Sequence, residues 1–264
     1  MTRFICRQCG ARYPEADAPP PACLICSDER QYVRWGGQDW LSPLELAADH
    51  SIECARDHGV LGFRIEPAFA INQRAILVEA EGGNVLWDCI GLVTREAVEA
   101  IREAGSLLGI AISHPHYYTA LAEWAHALGV PVHLHAADAG FVTEPDAAIR
   151  HWEGESLRLS PALTLLRCGG HFAGAAVLHD ATGEGALYCG DTLQVAPDRR
   201  HVSVMYSYPN QIPVNATTIR RIGAILEPYH FARIYGAFQG LVIASEGKAA
   251  LERSLRRYLD AIAG

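Results

Sequence analysis

A chain of 264 residues, half of them hydrophobic and one fifth charged, is long enough to bury one large core. Its mixed composition excludes a disordered, collagenous or coiled-coil protein. Lys and Arg number 22 against 30 Asp and Glu, and this net charge of −8 argues against nucleic-acid binding as the main role. No apolar run is long enough to span a membrane. The start Met1-Thr2-Arg3-Phe4-Ile5-Cys6-Arg7 lacks a signal-peptide core. A soluble, cytoplasmic protein is therefore expected.

In such a compartment the 8 cysteines are not expected to form disulfides, and half of them cluster. Cys6, Cys9, Cys23 and Cys26 form two Cys-x-x-Cys pairs within residues 1–35, a segment too short to fold on its own core. Each pair can turn two thiolates toward one ion, and two pairs complete a tetrahedral sulfur site. Gly10 supplies the permissive backbone that such a knuckle needs. Cys54, Cys89, Cys168 and Cys189 are scattered and are expected to be buried, reduced thiols. The stretch Phe4-Ile5-Cys6-Arg7-Gln8-Cys9-Gly10, with Tyr13, resembles a rubredoxin-like zinc ribbon. The second knuckle, Cys23-Leu24-Ile25-Cys26-Ser27, lacks the glycine usual in rubredoxin, which favours structural zinc over redox iron. Iron stays open as the ion of either metal site in the chain.

Residues 36–59 read as a linker, helical from Trp40 to about His58, with Ser42 and Pro43 as cap and first turn. The main domain is expected over 60–264. Arg74–Ala80 and Asn84–Asp88 read as a hairpin around Gly82-Gly83. Thr94–Ala104 reads as a capped helix, Leu107–Ser113 as a buried strand, Tyr118–Leu128 as a helix and Pro131–His135 as a strand. Further strands are expected at 157–166, 175–179, 186–189 and 231–235. Helices are expected at 219–226 and 247–263. Hairpins combined with strand–helix alternation imply an α/β (α+β) protein with two sheets and helices outside them.

Most of the 12 histidines read as surface or locally satisfied residues. His114-Pro115-His116 differs, because it emerges directly from a buried strand, where α/β folds hold ligands. Gly169-Gly170-His171 and Gly190-Asp191-Thr192 also lie in loops at strand ends. Together they offer three imidazoles and one carboxylate. His133 and His135 alternate on a strand and are expected to lie behind the ligands rather than among them.

With these motifs, and with the hairpin ending Asn84-Val85-Leu86-Trp87-Asp88, residues 60–264 resemble the metallo-β-lactamase-fold hydrolases, including their glyoxalase-II-like members. The resemblance implies an αββα sandwich with a small N-terminal zinc-ribbon appendage. It also implies a metal site at His114, His116, His171 and Asp191. The chain departs from the family at the second metal. Tyr118 stands where an Asp is expected, Thr119 stands where a His is expected, and Gly236-Ala237-Phe238-Gln239-Gly240 contains no His. One ion in this site is therefore expected. Zinc would occupy both it and the ribbon.

The implied function is hydrolysis of an ester, thioester or lactone of a small molecule through a single metal-bound water, with Asp191 and Tyr118 as catalytic groups. Tyr117 or Tyr118 would donate to the developing oxyanion. A true β-lactamase is disfavoured by the missing secretory signal. Two alternatives are a mononuclear iron oxygenase of the same superfamily and a catalytically silent metal-binding protein. Neither nucleic acid nor membrane is an expected partner, and self-association into a homo-oligomer is left open.

Overall fold

The computed structural model describes residues 1–263. Three short strands, β1 (Thr2–Cys6), β2 (Arg12–Ala16) and β3 (Trp40–Leu41), make a small sheet in the order β2-β1-β3. Around it Cys6, Cys9, Cys23 and Cys26 are buried with Ala11 and Ile25. Half-buried Tyr13 and Trp40 pack against this small interior. Helix α1 (Pro43–Asp49) follows, opened by a reciprocal capping box between Ser42 and Glu45.

The helix expected to run to His58 ends at Asp49, and residues 51–57 are a strand. Strand β4 (Ser51–Asp57) pairs antiparallel along its whole length with β5 (Val60–Glu66), from Ser51↔Glu66 to Asp57↔Val60. The turn is made by His58 and Gly59, both at positive φ (49° and 95°), the geometry that matches the twist of a two-residue hairpin. The expected linker 36–59 is thus divided. Its first part completes the ribbon sheet, its middle is α1, and its end is the edge of the main sheet.

The main sheet continues through β6 (Arg74–Val78), β7 (Asn84–Trp87), β8 (Leu107–Ala111), β9 (Val132–His135) and β10 (Ile149–Trp152), in the spatial order β10-β9-β8-β7-β6-β5-β4. From β7 onward its pairings are parallel, with α2 (Arg95–Glu103) between β7 and β8 and α3 (Leu121–Leu128) between β8 and β9. Thr94 caps α2 as expected, its Oγ1 accepting from the Ala97 amide.

The second sheet contains β11 (Ser156–Arg158), β12 (Leu163–Arg167), β13 (Ala176–Asp180) and β14 (Ala186–Tyr188). Two short ladders follow, β15 (Gln194–Val195) with β16 (Val202–Ser203) and β17 (Met205–Ser207) with β18 (Ile212–Pro213). After α4 (Ala216–Leu226), β19 (Arg233–Tyr235) and β20 (Val242–Ile243) complete the second sheet, and α5 (Gly247–Ala263) ends the described chain. The order is β11-β12-β13-β14-β19-β20. The run 157–166 is two strands because Ser160 turns it back, its Oγ accepting from the Ala162 and Leu163 amides.

Period-two alternation places each strand residue in one of two cores. Ile76, Val78, Val85 and Trp87 face inward, where they meet Leu163, Leu165 and Leu178 of the second sheet. Leu77 and Leu86 face outward against Ala97, Ile101 and Trp124 of α2 and α3. On the far side, Ile219, Ile222, Leu251 and Leu255 of α4 and α5 cover Val177, Leu187 and Ile234. The layers are helix, sheet, sheet, helix. No described helix is long and apolar enough to cross a membrane.

Ribbon and body share a core, since Ile5 and Leu41 join the cluster beneath α2 and α3. Arg12 crosses the junction buried, donating to Gly91 O at 3.0 Å and pairing with Glu123. Burial pulls its guanidinium down to about 10. Of the scattered cysteines, Cys89, Cys168 and Cys189 are buried as expected. Cys54 is exposed, because the strand that carries it is the sheet edge.

Candidate metal centre

Three loops at the ends of strands bring the site together. Strand β8 leads through Ile112 and Ser113 into His114, and a single 3₁₀ turn, Pro115–Tyr117, presents His116 two residues later. His171 follows the two left-handed glycines Gly169 and Gly170 after β12, with φ of 70° and 90°. Asp191 follows Gly190 after β14. A Cβ on Gly190 would lie 2.4 Å from Ser113 Oγ, so glycine is what lets this strand end approach His114.

One donor atom from each of His114, His116, His171 and Asp191 lies within 4.8 Å of the other three, and all four residues are buried. His116 Nδ1 stands 3.2 Å from His171 Nε2, and Asp191 Oδ2 stands 3.4 Å from His114 Nε2 and 3.8 Å from His116 Nδ1. The outward nitrogens of two rings are held from behind. His171 Nδ1 is 2.9 Å from Tyr206 O and must donate to it, which leaves Nε2 bare. His114 Nδ1 is 2.8 Å from Ser113 Oγ. That hydroxyl lies 3.0 Å from Asp88 Oδ2, and Asp88 Oδ1 accepts from the Ser113 amide at 2.7 Å. A serine proton given to Asp88 makes Oγ the acceptor for His114 Nδ1–H, and again Nε2 is left bare.

Burial draws the His116 imidazole down to about 4 and His171 well below its ordinary value. Burial alone would raise the Asp191 carboxyl, but the adjacent imidazoles of His114 and His116 hold it below the usual carboxylate range. Burial pushes Asp88 up, opposed by its two bonds from Ser113. Three imidazole nitrogens and a carboxylate oxygen converging in a buried site, with His114 Nε2 left without a hydrogen-bond partner, are a donor set that fits a cation. The second cluster fits one too. Cys6 Sγ lies 3.6 Å from Cys26 Sγ, as Cys9 Sγ does from Cys23 Sγ, and Gln38 Nε2 donates to Cys6 Sγ at 3.2 Å. Hydrogen bonding among the sulfurs holds Cys6 and Cys23 below their ordinary range and Cys9 and Cys26 above it. Four thiolates coexist there only around a cation.

The remaining sequence candidates lie elsewhere. Tyr118 is packed in the outer core beneath α3 and does not line the cavity in front of the histidines. Tyr117 is also buried; its ring meets His114 edge-on at 5.3 Å and its hydroxyl donates to Ala237 O at 3.4 Å. Thr119 Oγ1 donates to Cys89 O, while its methyl faces Gly10 of the first knuckle. His135 bonds Gly154 O and the Ala137 amide, and His133 packs against Gly109, so neither supports a ligand as expected.

The cavity that opens on His116, His171 and Asp191 holds about 620 Å³. Its other walls are Tyr208, Pro209, Asn210 and Gln194 from the second half of the body, Ile71 and Phe238 from loops, and Gln31 and Tyr32 from the ribbon. Sequence reasoning missed all of these. It also gave no role to Asp88 and Ser113, although their places at a strand end and next to His114 were visible signals.

The layers and the strand-end cluster define a protein of the metallo-β-lactamase fold with a buried metal-binding site. The crystal structure of VMB-1 is similar at a TM-score of 0.58 and 12% identity, covering 81% of this chain and 98% of that one. The DIM-1 metallo-β-lactamase is similar at 0.57 and 16%, covering 82% and 99%. TTHA1623 in a di-iron-bound form is similar at 0.50 and 23%, covering 66% and 89%. No family model matches the sequence. The chain belongs to the family of YmaE, a protein of Bacillus subtilis (strain 168) described as uncharacterized. The two are 40% identical over 268 residues, covering 99% of this chain and 97% of that one.

Proposed function

We propose that the protein is a metal-dependent hydrolase that cleaves an ester, thioester or lactone of a small molecule with one divalent ion, zinc, in the body site. The observation that carries this reading is the convergence of three imidazoles and one carboxylate, buried at the floor of a cavity large enough for a small substrate. His114, His116, His171 and Asp191 would hold a divalent cation there, which would supply Lewis-acid polarisation of a carbonyl and a lowered pKa for a coordinated water.

The chain's own groups divide the remaining work. Ser113 and the Tyr206 carbonyl fix the tautomers of His114 and His171. Asp191 directs Oδ2 to the histidines and keeps Oδ1 without a partner, which suits Oδ1 to take a proton from the attacking water. The oxyanion role expected of Tyr118 is not retained, since its ring is buried away from the cavity. A single ion is supported by what stands at the second-metal positions. Tyr118 is core, Thr119 is spent on Cys89 and Gly10, and Phe238 offers the cavity a hydrocarbon face. Stripping the metal with a chelator should abolish hydrolysis of an activated ester, and zinc should restore it. His116→Ala should lower kcat by at least about a thousandfold, and undiminished turnover in that variant would contradict the reading.

A further inference from the structure

The ribbon reaches the cavity. Directly after the second knuckle, residues 28–32 cross onto the body and are fastened on both sides. Arg30 binds both carboxylate oxygens of Asp28 at 2.6 Å and lays its guanidinium 4.0 Å from the ring centre of Phe172, the neighbour of His171. Tyr206 donates its hydroxyl to the Glu29 carboxylate at 2.7 Å. Asn210 Nδ2 donates to Glu29 O at 2.7 Å and to Gln31 O at 3.2 Å. This fixed segment sets Gln31 and Tyr32 in the wall of the cavity that His116, His171 and Asp191 floor.

Gln31 is 3% exposed. Its Oε1 accepts from the Tyr32 amide, while its Nε2 donates to no protein group among the described residues and is not one of the fully buried, unpartnered atoms. An amide donor in a cavity wall that no protein group occupies is available to an acceptor on a bound molecule. The charges around it are equally informative. No Lys or Arg lines the cavity, and the nearby Arg30 is committed to Asp28 and Phe172. Apart from the ion at its floor, already faced by Asp191, an anionic substrate would find no counter-charge in these walls, whereas Tyr32, Ile71 and Phe238 offer apolar surface.

We propose that Gln31 and Tyr32 of the ribbon contact the substrate, and that the substrate is an uncharged acyl compound, an ester, lactone or thioester without phosphate or carboxylate groups. Gln31 Nε2 donates to a substrate oxygen, and Tyr32 covers an apolar flank. The proposal rests on the hydrolase reading for its chemistry. Water adds to the carbonyl carbon, the bond from that carbon to the leaving oxygen or sulfur breaks, and a proton from the water ends on the leaving group.

The experiment uses the full chain loaded with zinc. Turnover is measured on p-nitrophenyl butyrate and on the anionic mono-p-nitrophenyl ester of glutarate. Binding is measured by calorimetry on the matching amides, N-phenylbutanamide and glutaranilic acid. The neutral ester is expected to have a kcat/KM at least about tenfold higher. Gln31→Leu should cost about ten- to a hundredfold in kcat/KM and weaken the neutral amide, with both metal ions retained. Tyr32→Ala should act mainly through KM. Preference for the anionic pair overturns the substrate class. Unchanged turnover and binding in Gln31→Leu overturn the contact. Binding of the neutral amide that depends on Gln31, without turnover of either ester, sinks the hydrolase reading and upholds the recognition. No binding and no turnover overturn the proposal.

Discussion

The nitrogen that His114 offers to a metal is decided by its neighbour Ser113 and by Asp88 beyond it. Ser113 has one hydroxyl proton, and the direction in which it points sets which ring nitrogen of His114 is bare. With Asp88 as an acceptor the proton points away from the histidine and Nε2 is free. An amide at this position can instead donate to Ser113 Oγ, turn the serine proton onto His114 Nδ1 and leave Nε2 protonated. Asp88→Asn is therefore expected to weaken the body site's metal affinity by about ten- to a hundredfold, read by chelator competition, while the ribbon keeps its ion. Equal affinity in the variant would show that the relay does not set the tautomer. The motif His-x-His was legible in the sequence because its spacing and strand context announce it. The relay was harder to see, since a serine or an aspartate at a strand end has many ordinary uses.

At the scale of elements, the sequence showed best where side-chain periodicity is strong. The hairpin of β6 and β7, the capped helix α2 and the terminal helix α5 are all formed close to where their patterns place them. Strand β4 was misread because an edge strand buries little, and Ser51–Asp57 leaves its residues exposed or half-buried. Only its pairing with β5 makes it a strand. The ribbon's cysteines were legible for the opposite reason, since fixed spacing is itself the signal. What the spacing could not show was that the knuckles pack on the body. Gln73 Nε2 donates both to Cys9 O and to His116 O, at 3.4 and 3.3 Å, so one side chain bonds the knuckle and the metal loop together. Because the ribbon's interior is little more than its four cysteines, the ion supplies its stability, on the order of 10 kcal/mol in zinc-finger peptides. Cys9→Ser should release the ribbon ion and keep the body ion, yet lower kcat/KM by at least about tenfold, because the wall at Gln31 and Tyr32 is no longer held. Full activity in a protein carrying only the body ion would contradict that dependence.

At the scale of the whole molecule, two sheets back to back leave their strand ends along one edge, and the ribbon closes part of that edge. The chain's excess of cysteine and histidine separates into two donor sets, one of sulfur and one of nitrogen with a carboxylate. Placement of Thr119 against the Gly10 knuckle connects the two features. The ribbon thus packs against the loop that carries the body's metal ligands. The wall residues drawn from the ribbon could not be read from the sequence, because contacts between segments more than 80 residues apart leave no local pattern. The most direct measurement is the metal content of the purified full chain, by elemental analysis with anomalous scattering to locate each ion, in the wild type and in His116→Ala. Two zinc ions per chain, one at each cluster, falling to one in the variant is the expected result. A third ion beside Thr119 and Phe238, or a body site that keeps its full ion content without His116, would contradict the single-ion centre.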